Sequence, residues 1–261
     1  MSKTMTSAVV PNTPYLPTQY DLPCDDGIPM ETERHKLQMQ LLIDPLLPWL
    51  AQREDGYVGG NMFLHFSEAQ LKNQDFRGPD VFVVLGVPKG ERLSWVVWEE
   101  GKAPDVIIEL ISESTAKTDK STKKLVYQDQ IRVSEYFWYD PFNPEDFAGF
   151  SLDNGVYQPL SEDEQERLIS ERLGLALVRW SGLYKDVEAT WLRWATLEGI
   201  VLPTPEENAA IAQEQAGIAQ EQAGIAQEQA GIAQEQAAIA QERADKLAAR
   251  LRAMGVNPEE V

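Results

Sequence analysis

Hydrophobic residues fall into two kinds of pattern along the chain. Between residues 61 and 141 they gather in short runs: NMFLHFS at 61–67, DVFVVLG at 80–86, LSWVVWEE at 93–100, DVIIELIS at 105–112 and EYFWYDP at 135–141. Short apolar runs rich in β-branched and aromatic residues predict strands. Upstream, in METERHKLQMQLLIDPLLPWLAQ, Leu37, Leu41 and Leu42 share one helical stripe, which Pro45 and Pro48 break or restart. The segment TAKTDKSTKKLVYQDQI is polar and lysine-rich, with Leu125 and Ile131 as apolar points; Thr118 or Asp119 is expected to cap a helix there. FAGFSLDNGVYQPL predicts a hairpin turning on Asn154-Gly155, and TWLRWATLEGIVLP a second one. A helix, a strand meander, a crossover helix returning to a strand and further strands add up to a mixed α/β (α+β) domain with a central sheet.

From Ala210 the pattern changes. AIAQEQA, three copies of GIAQEQA and AIAQERA repeat with a period of seven. Isoleucine recurs at 211, 218, 225, 232 and 239, and alanines such as Ala216, Ala219, Ala223 and Ala226 alternate spacings of three and four, as along a coiled-coil seam. Gly217, Gly224 and Gly231 each weaken a helix by about 1 kcal/mol relative to alanine. The expectation is a helix that is marginal alone and firmer when paired, with a solvated appendage as the alternative. The chain therefore divides into a flexible arm (1–20), a folded body (21–204) and a helical tail (205–261).

Composition narrows the class. Apolar residues make up 43% of the chain, enough for a substantial core. The single cysteine, Cys24, excludes an internal disulfide framework and fits a reducing, cytoplasmic setting. No stretch reaches the roughly 18 apolar residues of a membrane span. The N-terminal MSKTMTSAVVPNTPYLPTQY lacks the long apolar stretch of a signal peptide.

The formal charge is −19. Ten acids and four bases between Glu206 and Val261 give the tail −6, which leaves −13 on the body. Proteins that bind nucleic acid through phosphates alone are usually basic. The charge argues against a passive DNA binder, but not against an enzyme that meets phosphate through a metal ion, because a bound cation inverts the local field.

Candidate chemistry sits on two of the strand runs. Both begin with Pro-Asp: Pro79-Asp80 and Pro104-Asp105. Glu109 interrupts the apolar run Val106–Ile111, four residues past Asp105 and on the same strand face. A lone buried carboxylate there costs roughly several kcal/mol unless something cationic meets it. A sheet that places the Asp80 strand beside the Glu109 strand brings the two acids together, where a shared cation relieves their repulsion. Mg²⁺ suits a few carboxylate oxygens and keeps several waters. Lys117, Lys120, Lys123 and Lys124 follow on or near the next helix. An Asp, a Glu and a nearby Lys are the parts of a metal-dependent phosphodiesterase, the metal polarising phosphate and the lysine attending the water. Wet acids at strand ends and a wet lysine face are the plainer reading of the same residues.

The strings LPCDDGIPMETERH (22–35), GGNMFLHFSEAQ (59–70), FRGPDVFVVLGV (76–87), SWVVWEEGKAPDVIIELISEST (94–115) and VSEYFWYDPF (133–142) resemble the Uma2 family over about residues 20–200. That family is placed in the PD-(D/E)XK nuclease superfamily. The resemblance implies a restriction-endonuclease-like core, a central mixed sheet flanked by helices, with Mg²⁺ or Mn²⁺ as cofactor and DNA as substrate. Asp80 then takes the place of the Pro-Asp aspartate and Glu109 that of the second acid, both as metal ligands. The superfamily lysine lies two residues past the glutamate, where this chain has Ile111. The Uma2 pattern instead carries it on the following helix, and Ser112, Ser114, Thr115, Asp119, Lys123 and Tyr127 fit that pattern. Lys123 is accordingly the expected catalytic lysine, with Lys124 and Lys120 as alternatives. Tyr127 is expected to pack rather than react. Glu31 or Glu33 on the first helix, and Asp105, are further candidates near the site. His35 and His65 form no evident metal pair, and tryptophans such as Trp95, Trp98 and Trp138 are expected in the core. The rival function is a nuclease-fold binding or assembly module without useful activity, organised as a homodimer by its tail.

Overall fold

The structure, a computed structural model, describes residues 16–24, 32–67, 78–112 and 115–255. Contacts divide the chain into two units, Met1–Pro205 and Glu206–Val261.

In the first unit, α1 (Glu33–Ile43) starts where the Thr32 side chain accepts the His35 N–H. It buries Leu37, Leu41 and Leu42, the stripe read from the sequence. Pro45 then caps a second helix, α2 (Leu46–Ala51). Pro48 sits inside its first turn, where no backbone donor is missed.

The main sheet has six strands: β1 (Tyr57–Gly59), β3 (Val81–Val84), β5 (Val106–Leu110), β6 (Glu135–Tyr139), β7 (Phe147–Asp153) and β8 (Val156–Pro159), in that order across the sheet. The β5–β6 pair is parallel and its other pairs are antiparallel, so the sheet is mixed. The polar segment between β5 and β6 is the expected crossover helix. The β7–β8 hairpin turns on Asn154 and Gly155, both at positive φ, as this two-residue turn demands.

Three expectations needed revision. The run at 93–100 yields only a two-residue strand, β4 (Trp95–Val96), and then a helical turn at Val97–Glu100. β4 leaves the main sheet and pairs in parallel with β2 (Leu64–His65). The longest hairpin is β10 (Leu175–Tyr184) with β11 (Val187–Ala195), to which β9 (Leu168–Ser170) adds a third strand. The expected hairpin at 190–203 reduces to a return past Gly199 and a bridge from Ala195 to Val201. Of the arm expected over 1–20, residues 1–15 lie outside the described residues, whereas Pro17 and Gln19 are hydrogen-bonded to Trp98 and Glu99.

Alternation along β3 and β5 splits the core into two layers. Val81, Val83, Val106, Ile108 and Leu110 pack with α1, α2 and the three-stranded sheet. Phe82, Val84 and Ile107 face the other way, with Leu64, Trp95 and the crossover residues Val126, Tyr127 and Ile131. Of the tryptophans expected in the core, Trp95 is fully buried, whereas Trp98 and Trp138 are only half-buried; Trp191 and Trp194 are the other fully buried ones.

Among the described residues the second unit is a helix, α4 (Pro205–Ala253), in which no residue is buried. Its five repeat isoleucines each keep 45–50% of their surface exposed.

Candidate active site

Asp80 directly precedes β3, and Glu109 lies within β5. The antiparallel register pairs Val81 with Ile108 and Phe82 with Ile107, so one further step sets Asp80 opposite Glu109. Opposed residues of an antiparallel pair project from the same face. Parity with Phe82 and Ile107 puts both acids on the crossover side of the sheet.

The crossover, α3 (residues 116–131), begins with an α-helical turn at Ala116–Thr118. It starts after Thr115, one turn earlier than the caps expected at Thr118 or Asp119. Two π-helical stretches follow, Asp119–Lys123 and Val126–Ile131. The Lys124 N–H reaches back five residues to the Asp119 carbonyl, which also accepts the Tyr136 hydroxyl at 3.0 Å. Such widened turns often mark functional segments of helices. Here Asp119, Lys123 and Tyr127, four residues apart, all reach the sheet face that carries the acids.

Glu109 is completely buried. Lys123 Nζ donates to its Oε2 at 3.1 Å, and the Tyr127 hydroxyl donates to its Oε1 at 2.6 Å. Asp80 Oδ2 accepts the Leu110 N–H at 2.7 Å. Lys123 Nζ also lies 2.8 Å from Asp119 Oδ1. That second contact is an ion pair without hydrogen-bond alignment, and Asp119 is 1% exposed.

Burial governs the electrostatics. It pushes Glu109 up from 4.5 to about 8, against the pull of Lys123; repulsion from Asp80 and Asp119 adds to the rise. Asp80 is raised for the same first reason, opposed by Lys123, the Leu110 N–H and a hydrogen bond with Glu109. Burial thus favours the protonated form of both carboxyls when nothing else neutralises them. Burial also disfavours the Lys123 charge, but Glu109, Asp119 and Asp80 outweigh it and hold the ammonium protonated.

The other candidates stand elsewhere. Lys120 pairs with Asp146, and Lys124 lies 3.3 Å above the centre of the Phe150 ring. Asp105 accepts the Leu85 N–H at 2.8 Å and pairs with Lys102, at the opposite end of β5 from Leu110. Glu33 is exposed in the first turn of α1, and Glu31 and Ser114 lie outside the described residues. His35 and His65 are buried, with no partner histidine facing either among their ring contacts. Ile111, two residues past Glu109, is fully buried. Sequence reasoning missed the parts played by Asp119 and Tyr127. Their spacing of four from Lys123 was the available signal.

Among the described residues no three His, Cys, Asp or Glu side chains are arranged to hold a metal ion. Two facing carboxylates nevertheless suit a cation that keeps waters and takes oxygens from a phosphate. A carboxylate oxygen that accepts one hydrogen bond keeps a lone pair for a cation, so the donor set of Asp80 and Glu109 fits.

The Uma2 family profile, described as "Putative restriction endonuclease", matches residues 18–181. The chain belongs to this family. Among solved structures it is similar to one described as "a putative nuclease belonging to DUF820" from Anabaena variabilis. The identity is 13%, over 56% of this chain and 76% of the other, with a TM-score of 0.42. No curated protein matches the chain. No helix among the described residues is long and apolar enough to cross a membrane.

Proposed function

We propose that this protein is a divalent-metal-dependent endonuclease that hydrolyses DNA phosphodiester bonds, on a restriction-endonuclease-like body. Asp80 and Glu109 would hold Mg²⁺ or Mn²⁺ between them. When bound, the cation supplies positive charge to the phosphate and makes its water more acidic. Lys123 orients the attacking water and holds positive charge beside the phosphate. Tyr127 fixes the Glu109 carboxylate in one rotamer. The observation that carries this reading is the Lys123 ammonium 3.1 Å from a buried strand glutamate that faces Asp80. A fully buried glutamate met by a lysine and faced by an aspartate has no packing rationale, since an apolar set in its place is often at least as stable.

The test is cleavage of supercoiled plasmid in Mg²⁺ or Mn²⁺ by the wild type and by Asp80→Asn. Metal-dependent nicking lost in the variant is the expected result. Equal nicking by both proteins overturns the assignment. The chain's charge of −19 favours the second reading, a nuclease-fold assembly module paired through its tail. An inactive wild type that still self-associates is the outcome that supports it.

A further inference from the structure

We infer that Asp119 is the retaining partner of Lys123, holding the ammonium in the site while Glu109 Oε2 is released to a divalent cation. The inference rests on the reading that Asp80 and Glu109 bind that cation, and it assigns a positioning residue to the same site.

The argument is one of oxygen atoms. Asp80 Oδ2 is committed to the Leu110 N–H and Glu109 Oε1 to the Tyr127 hydroxyl. On the glutamate this leaves Oε2, the atom Lys123 occupies. A cation drawn to that oxygen repels the ammonium already on it. An ammonium displaced within this mostly buried site, where its side chain is 20% exposed, is disfavoured if no second anion meets it, and that penalty would appear as weaker metal binding.

Asp119 removes the penalty. Its Oδ1 is already the nearer anion, at 2.8 Å against 3.1 Å for Glu109. That oxygen is buried and receives no aligned hydrogen bond, so a small rotation of the lysine towards it gains one. The Asp119 backbone is pinned by Tyr136 and Lys124, so the acceptor stays in place as the lysine swings. Lys123 thus keeps its charge and position beside the site after Glu109 has turned to the cation.

The test is calorimetric Mn²⁺ titration of the full chain as wild type, Asp119→Asn, Lys123→Met and the double variant. Asp119→Asn should weaken Mn²⁺ binding about fivefold or more in the wild-type background, and less than about twofold when Lys123 is already Met. Lys123→Met alone should bind Mn²⁺ at least as tightly as wild type, and Asp119→Glu should restore affinity. Loss by the same factor in both backgrounds overturns the inference, because Asp119 would then act by through-space charge. No loss in either overturns it too. Absence of Mn²⁺ binding by both wild type and Lys123→Met overturns the underlying metal reading together with this one. Asp119→Ser replaces Asp119→Asn if thermal melts show the latter to be unfolded.

Discussion

Asp80 faces Glu109 across the antiparallel β3–β5 pairing, one step beyond the Val81–Ile108 pair. The same pairing relates the two Pro-Asp dipeptides to each other. Asp80 caps the Leu110 N–H at 2.7 Å, and Asp105 caps the Leu85 N–H at 2.8 Å at the other end of the pair. The ends differ in what lies opposite: Glu109 stands across from Asp80, and the same register count sets Val84 across from Asp105. Lys102 neutralises Asp105 at 2.8 Å. One end therefore carries two facing acids beneath α3, and the other a cap paired with Lys102.

Glu109→Gln should abolish Mn²⁺ binding and cleavage while leaving the fold intact. Because burial favours the uncharged form of Glu109, the neutral Gln should leave the metal-free protein at least as stable as wild type at pH 8. Calorimetry and a denaturant midpoint check both halves. Unchanged Mn²⁺ affinity would sink the metal-ligand role.

Stability should depend on pH through the same residue. Glu109 is raised from 4.5 to about 8 in the folded state, so between those values the native protein holds the extra proton. Its favourable contribution is complete below about pH 4.5, falls as pH rises to about 8 and is level above. The difference in unfolding free energy between wild type and Glu109→Gln should follow that curve. Saturating Mn²⁺ should flatten it for the wild type, and binding below pH 8 should release protons, seen as a dependence of the heat on buffer. A difference that rises with pH through this window contradicts the buried-acid account.

Lys123→Ala should slow cleavage by about 10²-fold or more, the range for loss of a group acting on the transferred proton or charge. Lys117→Ala, on the exposed start of α3, should stay near wild type. Both should keep Mn²⁺ binding. Equal rates for the two variants in single-turnover plasmid nicking would move the role away from Lys123.

Tyr127→Phe removes the 2.6 Å hydrogen bond to Glu109 and keeps the ring within its core layer. It should cost about 1–3 kcal/mol of stability, because a buried acceptor loses its donor. It should lower kcat more than it raises the KM for DNA, since the glutamate loses its fixed rotamer. Urea unfolding and steady-state kinetics measure the two effects. A variant as stable as wild type shows that the bond contributes nothing net.

Deleting residues 206–261 should shift any dimer towards monomer in light scattering and leave per-site hydrolysis of a short single-stranded substrate unchanged. The reason is the row of half-exposed isoleucines along a helix with no buried residue, which a second helix can cover. An unchanged oligomeric state at micromolar concentration assigns the tail to solvent.

The sequence alone determined the elements whose information is local. Alternation and length marked β3, β5 and β6, the Asn154-Gly155 pair marked its hairpin, and the seven-residue period marked α4. It also put Asp105 and Glu109 on one strand face, and the spacing from Asp119 through Lys123 to Tyr127 on one helical side. The tertiary structure decided which of these meet. β3 lies beside β5 because the intervening run at 93–100 keeps only two strand residues and pairs with β2 instead. Parity then turns Asp80 and Glu109 towards α3 rather than α1. The fate of Asp119 could not be read locally either: an aspartate at the start of a lysine-rich helix looks like a solvated cap. In the fold it is a buried counter-ion, 2.8 Å from Lys123, within the first π-helical stretch of α3. Local patterns carry period and burial, whereas the choice of partners depends on long-range competition between strands and on the packing of whole layers.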